Sequence, residues 1–331
     1  CLEPAFSDPT AFTACEVPEY FRFENRHYAI FCASSYLGFR RDSRAKWASG
    51  GTYYLVADRK TGPYRLPKGD PMLQGTRDHS MVCMNYVGRT FKDGNKRLFY
   101  HIWGEPNSDA WMGAIKELVE EEPYRLALKY YSGNEKLKGK RLLSDIRPQE
   151  WKEAFRAGVQ PAVFWDFTEN AVTFTSNASA MCLCHSGLGG SEKTQANTDL
   201  ADGRVVECNV HADGVGFGLF FETVAGNRAC VFFNRRDGRV EFGHVMNGWG
   251  GNCFLKPEMS KEKAIGYDYD VRILARRQFL EAYIGDDYVA GWRLSPAKDG
   301  EPADEIDPNR FGIYSEDSNG YVKDIAVWQM Q

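Results

Sequence analysis

The chain contains no apolar run of about 18 residues, the length a transmembrane helix needs, and helical periodicity is scarce along it. A transmembrane helix is therefore not expected. It has no CxxC pair, and its nine cysteines (1, 15, 32, 83, 182, 184, 208, 230 and 253) are odd in number and unpatterned. That spacing argues against a zinc knuckle or a disulfide framework and favours a reducing, cytoplasmic home. An excess of charge of one sign is missing too, with 41 basic against 45 acidic residues and a net charge of -4. Neither a nucleic-acid footprint nor a polybasic surface for anionic lipid is expected. No signal peptide is present, but Cys1 leads straight into the turn-rich Leu2-Glu3-Pro4-Ala5-Phe6-Ser7-Asp8-Pro9. The natural N-terminus is expected upstream, so secretion stays open.

What is there is apolar and aromatic enough for a large core, and 331 residues suit two domains. Short aromatic and β-branched runs separated by Gly, Asn, Asp and Pro dominate, the pattern of all-β propellers, sandwiches and barrels. Tyr20-Phe21-Arg22-Phe23, His27 to Cys32, Thr52 to Val56 and Arg97 to Trp103 each have strand length. Glu24-Asn25-Arg26 and Lys92-Asp93-Gly94-Asn95-Lys96 read as hairpin turns between them. The order of hairpin, connection and hairpin suits successive propeller blades.

The acidic segment from Trp111 onward closes this block, and a polar connection from Lys136 to Arg147 leads to a second one. The expected division is residues 1–138 and 139–331. Gln149 to Phe155 reads as a short helical turn. Beyond it, Arg204 to Val210, Gly216 to Thr223, Ala229 to Phe233, Arg239 to Phe242, Val271 to Leu274, Phe279 to Ile284, Phe311 to Tyr314 and Ile325 to Trp328 read as strands of two packed sheets. No aromatic stripe is evident in that block, so buttressing is the favoured role.

Several signals dissolve on inspection. Ser186-Gly187-Leu188-Gly189-Gly190 and Gly214-Val215-Gly216-Phe217-Gly218 lack the following helix that phosphate binding requires, and read as turns. His27, His101, His185, His211 and His244 lack metal-ligand spacing. Cys182 and Cys184 would share a strand face beside His185, yet ordinary packing is favoured over a metal clip.

The strongest local signal is Phe12-Thr13-Ala14-Cys15-Glu16-Val17-Pro18-Glu19-Tyr20-Phe21. Proline pushes the residue before it toward an extended conformation, so Glu16 is expected at the start of a strand. That position suits a general acid, which must be aimed at a leaving oxygen. By itself a Glu beside a Pro reads first as a solvated or salt-bridged structural carboxylate.

Glu16-Val17-Pro18-Glu19 resembles the third signature of glycoside hydrolase family 32, usually Glu-Cys-Pro-Asp before a hydrophobic strand; Val17 and Glu19 depart from it. The lead-in from Pro4 to Phe12, the passage Gly51 to Leu66, Leu98 to Trp103, Trp111 to Leu118 and the pair Val271 to Leu274 with Phe279 to Ile284 are similar to that family as well. The resemblance implies an all-β chain, a partial five-bladed β-propeller followed by a C-terminal β-sandwich. It implies a retaining glycosidase acting on β-fructofuranosidic bonds of sucrose, fructo-oligosaccharides or fructans, with no metal or organic cofactor, and with Glu16 as acid/base.

Retention needs a second carboxyl group about 5 to 5.5 Å away as nucleophile, and no residue here matches it; the family's place for it falls upstream of Cys1. Arg77, Asp78 and His79 are pocket-lining candidates, set against a plain polar turn after Gly75. Trp103 and Trp111 are candidates for sugar stacking, set against packing between blades. A carbohydrate-binding protein without turnover, and a related arabinan- or xylan-type propeller glycosidase, are the alternatives.

Overall fold

Alternation of apolar and polar side chains sends the chain into strands almost from end to end. The computed structural model describes residues 12–13, 15–33, 35–36, 51–75, 84–104, 111–141, 146–152, 163–168, 171–186, 203–247, 253–294 and 304–331. The chain divides into two units, residues 1–134 with 286–291, and residues 135–285 with 292–331.

In the first unit, β1 (Phe12–Thr13), β2 (Glu16–Phe23), β3 (Arg26–Ala33), β4 (Ser35–Tyr36), β5 (Gly51–Ala57) and β6 (Met72–Gly75) come first. β1 pairs with β4, and β2-β3-β5-β6 is a four-stranded antiparallel meander. The Glu24-Asn25 hairpin turn expected between β2 and β3 is present. All of β5 is buried, because both faces of the meander are covered. One face carries Phe21, Tyr28, Ile30, Tyr54, Val56 and Leu73, packed with Phe99, Leu118, Leu126 and Leu128. The other carries Phe31, Ala33, Tyr53, Leu55, Ala57, Tyr64 and Met72.

β7 (Met84–Asp93), β8 (Lys96–Gly104), β9 (Trp111–Met112), β10 (Lys116–Glu122) and β11 (Arg125–Tyr130) follow. They form a second antiparallel run in which β8 pairs with β7 on one side and with β9 and β10 on the other. Gly88 lets β7 pass close to the first meander. A Cβ there would lie 2.5 Å from the Thr52 hydroxyl oxygen and 2.4 Å from the Phe99 ring.

The second unit opens with a 3-10 turn ending at Leu137, then β12 (Lys138–Arg141), β13 (Ile146–Lys152), β14 (Val163–Phe167), β15 (Ala171–Ser186), β16 (Arg204–Ala212), β17 (Gly216–Thr223), β18 (Arg228–Asn234), β19 (Arg239–Asn247), β20 (Cys253–Glu262), β21 (Asp268–Arg276), β22 (Phe279–Ile284) and β24 (Ile306–Met330), while β23 (Asp287–Arg293), between β22 and β24 in sequence, falls in the first unit up to Gly291. Two long strands, β15 and β24, serve two groups of neighbours. The first half of β24 lies between β17 and β15, extending through β18, β19 and β20. Its second half lies between β16 and β15, extending through β21 and β22. The change of partner falls near Asp317, at φ 42°.

Aromatic rings join the two groups in a sandwich-like core. Phe174 stacks on Phe217 at 6.1 Å, Phe217 on Phe233 at 6.5 Å, and Phe233 leans on Tyr269 at 5.6 Å.

Four expectations need correcting. Gln149 to Lys152 is strand, not helix, because β13 pairs with β15 along its length. Part of the polar connection from Lys136 is strand β12, paired with β24. Gly216 and Gly218, read both within a turn and within the strand Gly216 to Thr223, lie in the strand β17. Val17 is not extended: its φ is 47°, in the left-handed region that a β-branched residue rarely occupies.

Candidate functional site

Val17 sits in a β-bulge, and the bulge decides how the Glu16 motif is displayed. Glu16 pairs with Cys32 and Glu19 with Ile30, with a register shift between them. Cys32 and Ile30 are two apart on β3 and so share a face; cross-strand partners share a face as well. Glu16 and Glu19 therefore point to the same side, which residues three apart on a regular strand would not do. That side is the one β7 crosses: the Gly88 N–H donates to the Thr52 hydroxyl at 3.0 Å, and Thr52 pairs with Cys32.

The two carboxylates have different surroundings. Glu16 is exposed at the first position of β2. Glu19 is held: the Thr90 N–H donates to it at 2.8 Å, the Thr90 hydroxyl donates to its other oxygen, and Arg97 lies 3.9 Å from it. Arg97 also donates to the Thr90 hydroxyl oxygen at 2.7 Å and covers the Phe21 ring at 4.6 Å. Arg89 donates to the Pro18 carbonyl at 3.1 Å. Burial lowers the Arg97 guanidinium from its usual value, with Glu19 opposing, and burial pushes the Cys32 thiol up. A neutral thiol thus lies opposite Glu16 across the β2–β3 ladder.

Of the other residues expected at the site, Arg77, Asp78 and His79 lie outside the described residues. Trp103 and Trp111 are directly paired in register between β8 and β9. Glu19, Thr90, Arg89 and Arg97 were not legible as members of the site. Glu19 was visible as part of the motif, but its partner Thr90 is 71 residues away.

Among the described residues no group of His, Cys, Asp and Glu is arranged to hold a metal ion. In the second unit, a group of stacked rings that the sequence did not reveal lies on β16, on β24 and at the residue before β21. His211 stacks on Tyr321 at 5.4 Å and on Tyr267 at 6.4 Å, and its Nδ1 lies 2.8 Å from an Asp268 carboxylate oxygen. Arg235 covers the Tyr267 ring at 4.4 Å, and Lys323 stands 5.3 Å from the Tyr321 ring. The ring faces are thus taken up by one another and by cations, which does not make an open stacking platform.

No family model matches the chain, and no curated protein matches it. Among solved structures it is similar to sucrose-6-phosphate hydrolase from Lactobacillus gasseri, with a TM-score of 0.54 and 12% identity over 96% of this chain and 55% of that one. It is similar to exo-inulinase from Aspergillus awamori, with a TM-score of 0.53 and 10% identity over 97% of this chain and 58% of that one. The chain therefore spans little more than half the length of either hydrolase. A carbohydrate binding module CBM66 from Bacillus subtilis matches 51% of this chain and 94% of its own, with a TM-score of 0.36 and 15% identity, too loosely to carry an argument. At these identities the likeness is one of fold.

Proposed function

We propose that this chain carries the acid/base half of a retaining glycosidase that cleaves β-fructofuranosidic bonds of sucrose or fructans, on consecutive blades of a propeller followed in sequence by a β-sandwich. Glu16 protonates the leaving glycosidic oxygen, and as carboxylate it then takes a proton from the water that completes hydrolysis. The fold likeness to a sucrose-6-phosphate hydrolase and an exo-inulinase supports the substrate class. The single observation that carries the reading is the bulge that sets Glu16, solvent-exposed at the start of β2, on the same side of the ladder as Glu19, which Thr90 holds. Trp103, Trp111, Arg77, Asp78 and His79 are proposed to contact the sugar.

The test is Glu16→Gln in the protein translated from its complete reading frame. Loss of general acid/base help lowers turnover of sucrose about 10²- to 10⁴-fold, with the fold intact by circular dichroism. Unchanged turnover removes Glu16 from the mechanism.

A further inference from the structure

Aiming Glu16 is a problem that the β2–β3 ladder does not solve by itself. A bulge leaves one residue outside the ladder and bends the strand, and the bulged segment here includes Val17 at φ 47°. A conformation of that kind persists only where the surroundings over-determine it. The contacts that do so come from the β7–β8 hairpin. Arg89 holds the Pro18 carbonyl, the Thr90 N–H and hydroxyl hold both oxygens of Glu19, and Arg97 holds the Thr90 hydroxyl from its place over Phe21.

We propose that Glu19, Thr90 and Arg97 form a positioning clamp that fixes the direction of the Glu16 carboxyl; this rests on the reading of Glu16 as the general acid/base. Glu19 has no part in proton transfer. It is the handle by which the neighbouring hairpin grips the bulge. The Thr90 hydroxyl is the centre of the device, because it donates to Glu19 and accepts from Arg97 at once. Without that hydroxyl the bulge can relax along the strand, and Glu16, at its open end, loses its fixed relation to the leaving oxygen. Misplacement of a reacting group by about 1 Å can cost on the order of 10²-fold in rate.

The experiment is a double-mutant cycle on the protein translated from its complete reading frame, with sucrose as substrate: unsubstituted, Glu16→Gln, Thr90→Val and both together. Thr90→Val keeps the shape and removes the hydroxyl. It is expected to lower kcat about 10- to 100-fold with little change in KM, to alter the pH dependence of kcat, and to have no further effect in the Glu16→Gln background. Thr90→Ser, which keeps the hydroxyl, is expected to retain most of kcat.

Four results go the other way. A Thr90→Val loss of equal size in both backgrounds marks a merely structural role and overturns the clamp. Unchanged kcat in Thr90→Val, where Glu16→Gln is severely impaired, overturns it as well and leaves Glu16 in place. Full activity of Glu16→Gln, or no fructose release by the unsubstituted protein, overturns the reading of Glu16 and the clamp with it.

Discussion

Arg26 grips Glu120 through Nε and Nη2, each 2.5 Å from a different carboxylate oxygen. The pair ties β3 to β10 inside the first unit. The Tyr28 hydroxyl also donates to Glu120, as does the Tyr124 N–H at 3.0 Å. Burial alone would raise the Glu120 carboxyl, but the hydrogen bonds from Arg26, Tyr28 and Tyr124 outweigh it and hold the group below the usual carboxylate value.

A carboxyl depressed in the folded state contributes stability that is fully present above its unfolded value of about 4.3 and is lost as pH falls through the folded value. The melting temperature is therefore expected to drop on acidification below about pH 4.3. Glu120→Gln should lower the melting temperature at pH 7 and flatten that acid limb. An unchanged acid limb in the variant would show that Glu120 is not responsible.

A second acid-sensitive region lies higher. Burial holds the His101 imidazole well below its usual value, with Lys116 acting in the same direction. A histidine depressed in this way contributes stability that is complete above its unfolded value of about 6.5 and declines below it, by at most about 1.4 kcal/mol per pH unit for one proton. Melting scans between pH 8 and 5 should show this slope, and His101→Leu should reduce it. A slope that is the same in both proteins contradicts the assignment.

Gly113 is fitted against that same ring. A Cβ at this position would lie 2.0 Å from His101 Cε1 and 2.2 Å from Nε2. Gly113→Ala is expected to cost about 1–3 kcal/mol, the usual penalty for overpacking, read as a lowered midpoint in denaturant unfolding. Stability equal to that of the unsubstituted protein would mean that the ring can move aside.

In the second unit, Phe217 is fully buried between Phe174 and Phe233. Phe217→Ala should cost about 3–5 kcal/mol, again by denaturant unfolding. A cost below about 1 kcal/mol would place the sandwich core elsewhere.

The sequence made the strands and their hairpin turns legible because alternation and turn residues are local signals. Glu24-Asn25 and Gly94-Asn95 stand where they were expected. Gln149 to Lys152 misled because its residues favour helix, while the pairing of Trp151 with Cys182 that makes it a strand is remote. Gly216 and Gly218 fell within both a turn reading and the strand Gly216 to Thr223; in β17 a Cβ at either one would collide with the neighbouring strand β18. At the site, Glu16 was legible as the start of β2, but the bulge was not. Pro18 pointed to an extended Val17, whereas the pull of β7–β8 on Pro18 and Glu19 accompanies a left-handed one. Separation in sequence likewise hid the meeting of His211, Tyr267 and Tyr321.

The most direct measurement of the central claim is release of fructose from sucrose and inulin by the protein translated from its complete reading frame, alongside Glu16→Gln. Release is expected from the unsubstituted protein, falling about 10²- to 10⁴-fold in the variant while sucrose still binds. Sugar binding with no fructose released by either protein would contradict it and leave a carbohydrate-binding protein without turnover.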